Sequence, residues 1–506
     1  GYSSAASDVY KRQEDNSYTR LLKENLNIQV VYDWTASTSD YDEKMSLCIG
    51  SNTIPEIMNV NATQYRALLK YDMIQPLDKY FDDYASDALK SYVKSGGEEL
   101  QKCITNEDGE LMAIPAPNLT AGGVNEMWIR QDWLDALGLD VPRTWDELAE
   151  VAKAFVTRDP DGNGENDTIG ILGPGNSDHM NAVGGNQFGL DPLFSCFQSY
   201  PQYWLKSEDG SVEYGSIQPE TKTALENISK LYADGVIDPE TLVRSDSKEP
   251  LLAGKVGIFF GPWWCAYTFA DTTLSGSADW RAYFTPLSED GKYYTHMAEP
   301  TTQYVVASKD CKNPEAAFKI INYIVANEQK WVEEGVTSTE MGTGDFYPLY
   351  NTYDNADEIE KSYEALTKYL AGDISMDDVD FSTHKLLKND MEAVTKLKKK
   401  PYDDFSLKYW NLDSDLAKTN LPRLVAIMVG DAPLVNEEYV PVYNAYNGQT
   451  ETMEAKWANL KKMEEETFAK IIMGKADISE FDTFVKNWKS QGGDQILKEI
   501  NDELSK

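Results

Sequence analysis

The N-terminal half of the sequence alternates helix-type and strand-type patterns, and this alternation constrains the fold more than any other feature. TRLLKENL and YDEKMSLCIGS have the apolar spacing of amphipathic helices. NIQVVYDW and IPEIMNV have the apolar, β-branched character of strands. Alternation at this spacing predicts an α/β sheet with crossover helices. Ligands of such sheets bind beyond the carboxyl ends of the strands, so we expect four residues near a ligand: Trp34, Asn59, Asn61 and Tyr65.

Size and charge narrow the function classes. A chain of 506 residues suits two or three domains. Its 84 acidic and 47 basic side chains give a net charge of −37, which disfavours nucleic acids and anionic lipids as partners. The five scattered cysteines form neither a disulfide framework nor a zinc motif, and we expect free thiols.

Motifs of catalysis are scarce. The three histidines, His179, His296 and His384, are widely spaced, and no GxSxG, GxxxxGK[ST] or strand-borne GxGxxG motif occurs. A pair of catalytic carboxylates stays possible, because so many acids offer candidates. No apolar run is long enough for a membrane span. Residues 1–13 have no apolar run either, and we interpret them as a non-native segment that replaced a leader and a first strand.

The stretch DPDGNGENDTIG matches the first half of a calcium-binding loop. Asp159, Asp161 and Asn163 occupy positions 1, 3 and 5, and Gly164 occupies the sharp-turn position 6. The remaining ligands would be the carbonyl of Glu165 and the carboxylate of Asp167. Gly170 stands where a bidentate Glu is expected, so Asp167 or Thr168 would have to compensate. The sequence favours a structural calcium ion over an ion-free polar turn.

Two groups of aromatic residues are candidates for contact with sugar rings. Trp263 and Trp264 follow Gly261-Pro262 at the end of an apolar strand, and SYPQYWLK contributes Tyr200, Tyr203 and Trp204. The C–H faces of sugars stack on such rings. Core packing is the alternative for each ring taken singly, since large rings are often buried.

These segments are similar to a known family. GKVGIFFGPWWCAY, YVVASKDCKNPEAAFKIINYI and WANLKKMEEETFAKIIMGKADISEFDTFVKNWKSQGGDQILKEIN resemble family 1 extracellular solute-binding proteins of bacterial ABC importers. The large Gram-positive lipoprotein type that serves oligosaccharide uptake is the most similar. The resemblance implies a periplasmic-binding-protein-like α/β fold with two lobes, a hinge and an interlobe ligand cleft. The expected lobes are residues 14–122 with about 300–350, and residues 123–299 with about 351–506.

The resemblance also assigns roles to residues. It implies that Trp263 stacks on a sugar, that Asn59 and Asn61 make polar contacts, and that the SYPQYW loop lines the second lobe. It places crossings between the lobes at Ala121–Gly123 and at residues 299–303, where Glu299 is a further candidate. Several members of the family carry a calcium loop at this position. Trp34, Tyr65, Trp410 and Tyr446 have no matched family position and are added as crevice candidates.

The expected function follows from this resemblance. The protein would capture an oligosaccharide between its lobes and deliver it to the permease subunits of an ABC transporter, without chemical conversion. We expect a monomeric, extracellular lipoprotein that is anchored to the outer face of the cytoplasmic membrane and has a structural calcium ion. The alternatives are a glycoside hydrolase or lyase with an aromatic cleft, and a member of the same fold that binds peptides or metal complexes.

Overall fold

The computed structural model describes residues 15–37, 40–176, 185–275, 278–333, 347–349, 353–381, 384, 386–397, 410–412 and 414–505. The segment that we interpret as non-native, residues 1–13, and His179 lie outside the described residues. Within them, no helix is both long enough and apolar enough to cross a membrane.

The chain forms two compact units, each assembled from separate segments. Unit 1 comprises Gly1–Leu119, Pro300–Glu358 and Ser382–Lys385, and unit 2 comprises Thr120–Glu299, Ile359–Phe381 and Leu386–Lys506. The predicted crossing Ala121–Gly123 is a 3₁₀ turn that begins directly after Thr120, and the second boundary falls between residues 299 and 300. Hinge motion at these positions stays a prediction.

The described residues form eleven strands, and the α/β fold class is confirmed. The strands are β1 Ile57–Val60, β2 Ile114–Pro117, β3 Glu126–Arg130, β4 Ile169–Leu172, β5 Trp204–Lys206, β6 Val212–Tyr214, β7 Val256–Gly261, β8 Trp280–Tyr283, β9 Tyr293–His296, β10 Thr301–Ala307 and β11 Tyr439–Val442.

Unit 1 is built around a three-stranded sheet. Its strand order is β1-β10-β2, and both pairings are antiparallel. The core on this sheet includes Leu68, Leu100 and Phe318, all fully buried. The helices of unit 1 are Ser17–Leu26, Tyr41–Gly50, Ala62–Lys70, Asp78–Tyr84, Asp87–Ser95, Gly97–Ile104 and Glu315–Glu333.

The predicted strand NIQVVYDW is wrong. Residues 27–37 form no strand, and β1 pairs only with β10 among the described strands. The side chains of residues 27–34 do alternate between more and less exposed, and Val31 is 69% exposed. The alternation that suggested a strand is therefore present, but no neighbouring strand supplies the hydrogen bonds that define one.

Unit 2 has a four-stranded mixed sheet with the order β4-β7-β3-β8, in which only β4 and β7 are parallel. Two further two-stranded sheets pair β5 with β6 and β9 with β11.

The predicted capping box of the helix Trp145–Thr157 is confirmed: the backbone N–H of Glu147 donates to Thr144 Oγ1 at 3.3 Å, and the backbone N–H of Thr144 donates to Glu147 at 3.1 Å. The remaining helices are Gln131–Leu137, Trp145–Thr157, Asp191–Ser195, Pro219–Ala233, Lys248–Leu252, Ala266–Leu274, Glu358–Ala371, Leu387–Leu397, Asp415–Val425, Ala432–Asn436, Glu451–Ile472, Glu480–Trp488 and Asp494–Leu504.

Candidate ligand-binding site

The tryptophan pair lies where the central strand of unit 2 ends. β7 runs to Gly261, Pro262 breaks the ladder, and Trp263–Cys265 form one 3₁₀ turn before the helix Ala266–Leu274. Proline ends the strand because it has no N–H to donate. Trp263 is 6% exposed and Trp264 is partly exposed, so this turn lies close to the surface of its unit.

The backbone of Trp263 packs tightly against a second element. Gly430 ends the π-helix Ala426–Gly430, and a methyl group on Gly430 would lie 2.8 Å from the carbonyl oxygen of Trp263 and 2.9 Å from the ring of Trp128. Only glycine fits such a close approach. The next residue, Asp431, is therefore brought next to the tryptophan turn.

Two fully buried carboxyl groups lie on the segments that adjoin this turn. Glu126 begins β3 and is paired in register with Gly261, and the side chains of Glu126 and Asp431 are both 0% exposed. Their four carboxyl oxygens have no hydrogen-bond partner among the described residues. An unsatisfied buried polar group costs about 1–3 kcal/mol, and native structures rarely leave one without a partner.

The electrostatics of these two acids favour their neutral forms. Burial raises the pKa of Glu126 well above its ordinary value, and the nearby carboxylates of Asp431 and Glu437 raise it further. Burial raises the pKa of Asp431 to about 9, with smaller contributions from Glu360 and Glu364. The charges that act on both groups are carboxylates, so a neutral group fits beside them better than an anion.

Potential hydrogen-bond donors accompany the two acids. The indole nitrogen of Trp263 is buried without a partner among the described residues, and the side chain of Gln187 interacts with the thiol of Cys265. Gln187 is close because a methyl group on Gly261 would lie 3.3 Å from its Cα atom. We call Glu126, Gln187, Trp263 and Asp431 the Trp263 cluster. It combines acceptors, donors and a flat ring, which is the set of groups that a polyhydroxylated ligand requires.

The SYPQYW residues lie elsewhere in unit 2. Tyr200 and Tyr203 flank the buried ring of His296 at centroid distances of 5.1 and 4.7 Å, and the hydroxyl of Tyr203 donates to the carbonyl of Met297 at 2.5 Å. Burial lowers the pKa of His296 to about 3, so this imidazole is neutral. Trp204 belongs to the hydrophobic core, where it packs against Tyr214 at 4.6 Å. All three residues are at most 7% exposed and have ring partners within unit 2, and their contact with a ligand stays a prediction.

Three other candidates of unit 2 have structural partners. Tyr446 is 1% exposed, lies in the core and donates its hydroxyl to Glu503 at 3.0 Å. Trp410 is likewise 1% exposed. Glu299 is partly exposed. With the oxygen and nitrogen of the Asn447 side-chain amide exchanged, the orientation that its neighbours favour, this amide donates a hydrogen bond to Glu299 at 3.2 Å. The structure brings none of these three into the Trp263 cluster.

Two candidates of unit 1 are local structural residues. Asn61 is the N-cap of the helix Ala62–Lys70 and accepts the backbone N–H of Gln64 at 2.9 Å, so its oxygen is already used. Tyr65 is 3% exposed and stacks on Tyr304 at 4.6 Å in the core.

The other two candidates of unit 1 are more accessible. Trp34 is partly exposed, with Lys44 Nζ 5.1 Å above its ring. Asn59 is also partly exposed, and its amide donates to the carbonyl of Leu349 at 2.8 Å. Contact of either residue with a ligand stays a prediction.

The predicted calcium loop folds as a compact polar turn. Asp159 has a positive φ of 46°, and its carboxylate accepts the backbone N–H groups of Asn163 and Gly164 at 3.2 and 3.1 Å. The side-chain amide of Asn163 donates to Asp161 at 2.9 Å and to Asp167 at 3.2 Å. Partial burial raises the pKa of Asp161, and the neighbouring carboxyl groups of Asp159 and Asp167 raise it further. Two carboxylates thus accept from the side-chain amide of Asn163, and a third accepts from its backbone N–H.

The side-chain oxygens of this loop are of the kind that binds calcium, but their present positions do not form a calcium site. The donors are the oxygens that calcium prefers, yet the amide of Asn163 now donates hydrogen bonds to Asp161 and Asp167, and the ammonium of Lys255 lies 2.8 Å from Asp167. Across the part of the chain that the structure describes, no three His, Cys, Asp or Glu side chains are arranged to hold a metal ion. Thr168 does not complete the loop, because its hydroxyl is buried and donates to the carbonyl of Phe155 at 2.7 Å.

Sequence reasoning missed Glu126, Gln187 and Asp431. The sequence contained a weak signal for two of them, which is an acid at the end of an apolar segment. Glu126 begins the strand EMWIR, directly before the apolar residues MWI, and Asp431 directly follows the apolar run AIMVG. The sequence could not show that these distant residues meet beside Trp263.

Comparison with known proteins supplies relatives over most of the chain. It is 29% identical to the fructooligosaccharide ABC transporter substrate-binding protein FusA of Streptococcus pneumoniae over 273 residues, which are 50% of this chain and 48% of FusA. The chain thus spans about half the length of this relative. It is 24% identical to the polygalacturonan/rhamnogalacturonan-binding protein YtcQ of Bacillus subtilis over 472 residues, 91% of this chain and 82% of YtcQ.

Solved structures share the fold. An HMO binding ABC-transporter associated solute binding protein from Bifidobacterium longum infantis superposes with a TM-score of 0.60 at 17% identity, over 97% of this chain and 95% of the other. The structure of FusA in complex with kestose superposes with a TM-score of 0.54 at 18% identity, over 97% of this chain and 95% of the other. The family described as bacterial extracellular solute-binding protein matches residues 11–331, more than half of the sequence. The chain therefore belongs to the family of bacterial extracellular solute-binding proteins.

Proposed function

We propose that this protein captures an oligosaccharide outside the cell and delivers it to the permease of an ABC importer. The observation that carries the proposal is the Trp263 cluster, where an aromatic ring lies beside buried polar atoms without partners. Relatives named for fructooligosaccharide and for polygalacturonan or rhamnogalacturonan support a glycan as the ligand. The lobes, their hinge and the contribution of Trp34 and Asn59 are part of the same proposal.

Binding without conversion is the favoured mechanism. Trp263 offers its ring for stacking, and Glu126, Gln187 and Asp431 offer hydrogen bonds to hydroxyl groups. Burial of the apolar face of a sugar supplies affinity, and the polar groups supply orientation. A glycoside hydrolase would need two carboxyl groups that flank a scissile bond in defined protonation states. Burial raises the pKa of both acids of the Trp263 cluster, which favours their neutral forms over an ionised nucleophile or base.

A structural calcium ion at the 159–167 loop belongs to the proposal. Asp159, Asp161, Asn163 and Asp167 would supply side-chain oxygens, and Glu165 its backbone carbonyl. The solved relatives include an alginate-binding protein AlgQ2 without calcium ion and a FusA EF-hand mutant, which supports a calcium loop in such proteins. When bound, the ion would hold this turn against the helix Trp145–Thr157. The amide of Asn163 would have to rotate so that its oxygen faces the ion.

An extracellular, lipid-anchored protein is proposed as well. The family is extracellular, and a relative from Bacillus subtilis that is 28% identical over 251 residues is named lipoprotein LipO. We expect a monomer that meets the permease subunits with its ligand bound.

Ligand binding tests the proposal directly. We would titrate kestose, maltotriose, galactotriose and trigalacturonate by calorimetry and by thermal shift. A ligand at about 100 times its Kd adds roughly 2.7 kcal/mol of stability. Trp263→Ala should weaken binding of the active glycan at least tenfold, whereas the exposed-ring control Tyr71→Ala should leave it unchanged. Recovery of unaltered glycan after long incubation is expected, and release of shorter sugars would instead favour a hydrolase or lyase.

A further inference from the structure

The two acids of the Trp263 cluster bear on which oligosaccharide the protein binds. Its two acids, Glu126 and Asp431, are completely buried, and no described residue hydrogen-bonds to any of their four carboxyl oxygens. Buried acids with a purely structural role normally have partners. Glu464 in the same unit shows this pattern, since it accepts hydrogen bonds from Tyr214 at 2.8 Å and Ser216 at 2.7 Å.

The surroundings of the two acids hold them in place. Glu126 is fixed in the ladder between β3 and β7, and Asp431 is fixed by the contact of Gly430 with the backbone of Trp263. Such positioning on rigid elements is typical of groups that meet a ligand, because their orientation costs little on binding. A bound partner such as a ligand would supply the hydrogen bonds that the described residues do not give to these acids.

The chemistry of that partner follows from the charges. Apart from Asp431 itself, the charged groups that raise the pKa of the two acids are the carboxylates of Glu437, Glu360 and Glu364. A ligand carboxylate buried here would lose its water without gaining a cation, which is unfavourable. Neutral hydroxyl groups can both donate to and accept from carboxyl groups, and they carry no such penalty.

We infer that Glu126 and Asp431 form a hydroxyl-recognition subsite beside Trp263, which selects an uncharged sugar ring and rejects a uronate. This inference rests on the proposed function and specifies the class of sugar that the protein binds. It separates this chain from its relative YtcQ, which is named for binding polygalacturonan and rhamnogalacturonan. Glu126 and Asp431 are thereby assigned as residues that determine specificity.

The test uses the full-length chain with the matched probes galactotriose and trigalacturonate, together with kestose and maltotriose. These two galactose-series probes differ only in the carboxylates at C6. We expect binding of at least one neutral probe and at least tenfold weaker binding of trigalacturonate. Glu126→Gln and Asp431→Asn keep the shape of the side chains, and each should weaken the neutral probe at least tenfold. Glu464→Gln, a buried acid outside the cluster, should leave the affinity unchanged.

The possible results are distinct. If no probe binds, the proposed function and this inference both fail. If a neutral probe binds and neither Glu126→Gln nor Asp431→Asn weakens it, the two acids hold internal water only, and this inference alone fails. If trigalacturonate binds most tightly, the proposed function stands and the specificity is the reverse of the one inferred. A changed melting temperature without a changed Kd would show a structural role and would also overturn the inference.

Discussion

Glu464 gives the most quantitative prediction, because a single buried carboxyl group ties the long helix Glu451–Ile472 to the β5–β6 hairpin region. Its side chain is 1% exposed and accepts hydrogen bonds from Tyr214 and Ser216. Burial raises its pKa from the ordinary 4.5 to about 7, although the two hydrogen bonds oppose this change. The neighbouring Glu465 raises the pKa slightly, and Lys461 lowers it.

The sign and size of the effect follow from proton linkage. Between pH 4.5 and about 7, the folded protein keeps a proton on Glu464 that the unfolded chain has lost. Each pH unit in this window therefore lowers the free energy of unfolding by about 1.4 kcal/mol. The contribution of Glu464 is most favourable below pH 4.5 and is lost as the pH rises to 7, which amounts to about 3 kcal/mol over the window. Above pH 7 it is constant.

The variant Glu464→Gln removes this titration while it keeps the size of the side chain. We would measure urea unfolding by circular dichroism and tryptophan fluorescence at pH 5, 6, 7 and 8. The stability of the variant relative to the natural chain should rise by about 2.5 kcal/mol between pH 5 and pH 8, because part of the loss has already occurred at pH 5. Glu466→Gln on the same helix, where Glu466 is exposed, is the control and should show no such trend. A difference that stays constant with pH would refute the reasoning.

Three further predictions concern separate parts of the molecule. Gly430→Ala places a methyl group 2.8 Å from the carbonyl oxygen of Trp263, so we expect a loss of about 1–3 kcal/mol in urea unfolding; an unchanged midpoint would contradict the close packing. Thr144→Ala removes the N-cap of the helix Trp145–Thr157 and should cost about 1 kcal/mol, measured in the same assay, whereas Thr144→Ser should cost less. Calcium should raise the melting temperature of the natural chain and a chelator should reverse this, but neither should affect Asp161→Ala; an equal response of both proteins would exclude the loop as the calcium site.

Local chemistry explains what the sequence predicted correctly. The capping box of Thr144 and Glu147, the strand β7 that runs into an aromatic turn and the strand β10 depend on residues that are neighbours in the chain. Propensity, proline and capping act over a few residues, so the pattern alone is sufficient there.

Pairing over long distances explains what the sequence did not predict. The segment NIQVVYDW has the alternation of a strand, but only the position of its neighbours decides whether it pairs. Glu126 and Asp431 each have an ordinary local setting; the pairing of β3 with β7 places Glu126 opposite Gly261, and the contact of Gly430 with Trp263 places Asp431 next to the same turn. Burial likewise depends on tertiary packing, so Trp204 and Tyr446 could not be recognised as core residues from their spacing.

The strand order of unit 1 affects how this chain folds during its synthesis. Its central strand β10 lies between β1 and β2, yet ribosomes complete the 180 residues from Thr120 to Glu299 before they reach it. At typical rates of about 5–20 residues per second, β1 and β2 remain without their common partner for roughly 10–40 s. Unpaired strands expose backbone groups that promote aggregation, and pairings of such large sequence separation form slowly. We therefore expect that, during synthesis, the first segment of this protein depends on a chaperone that covers its unpaired strands.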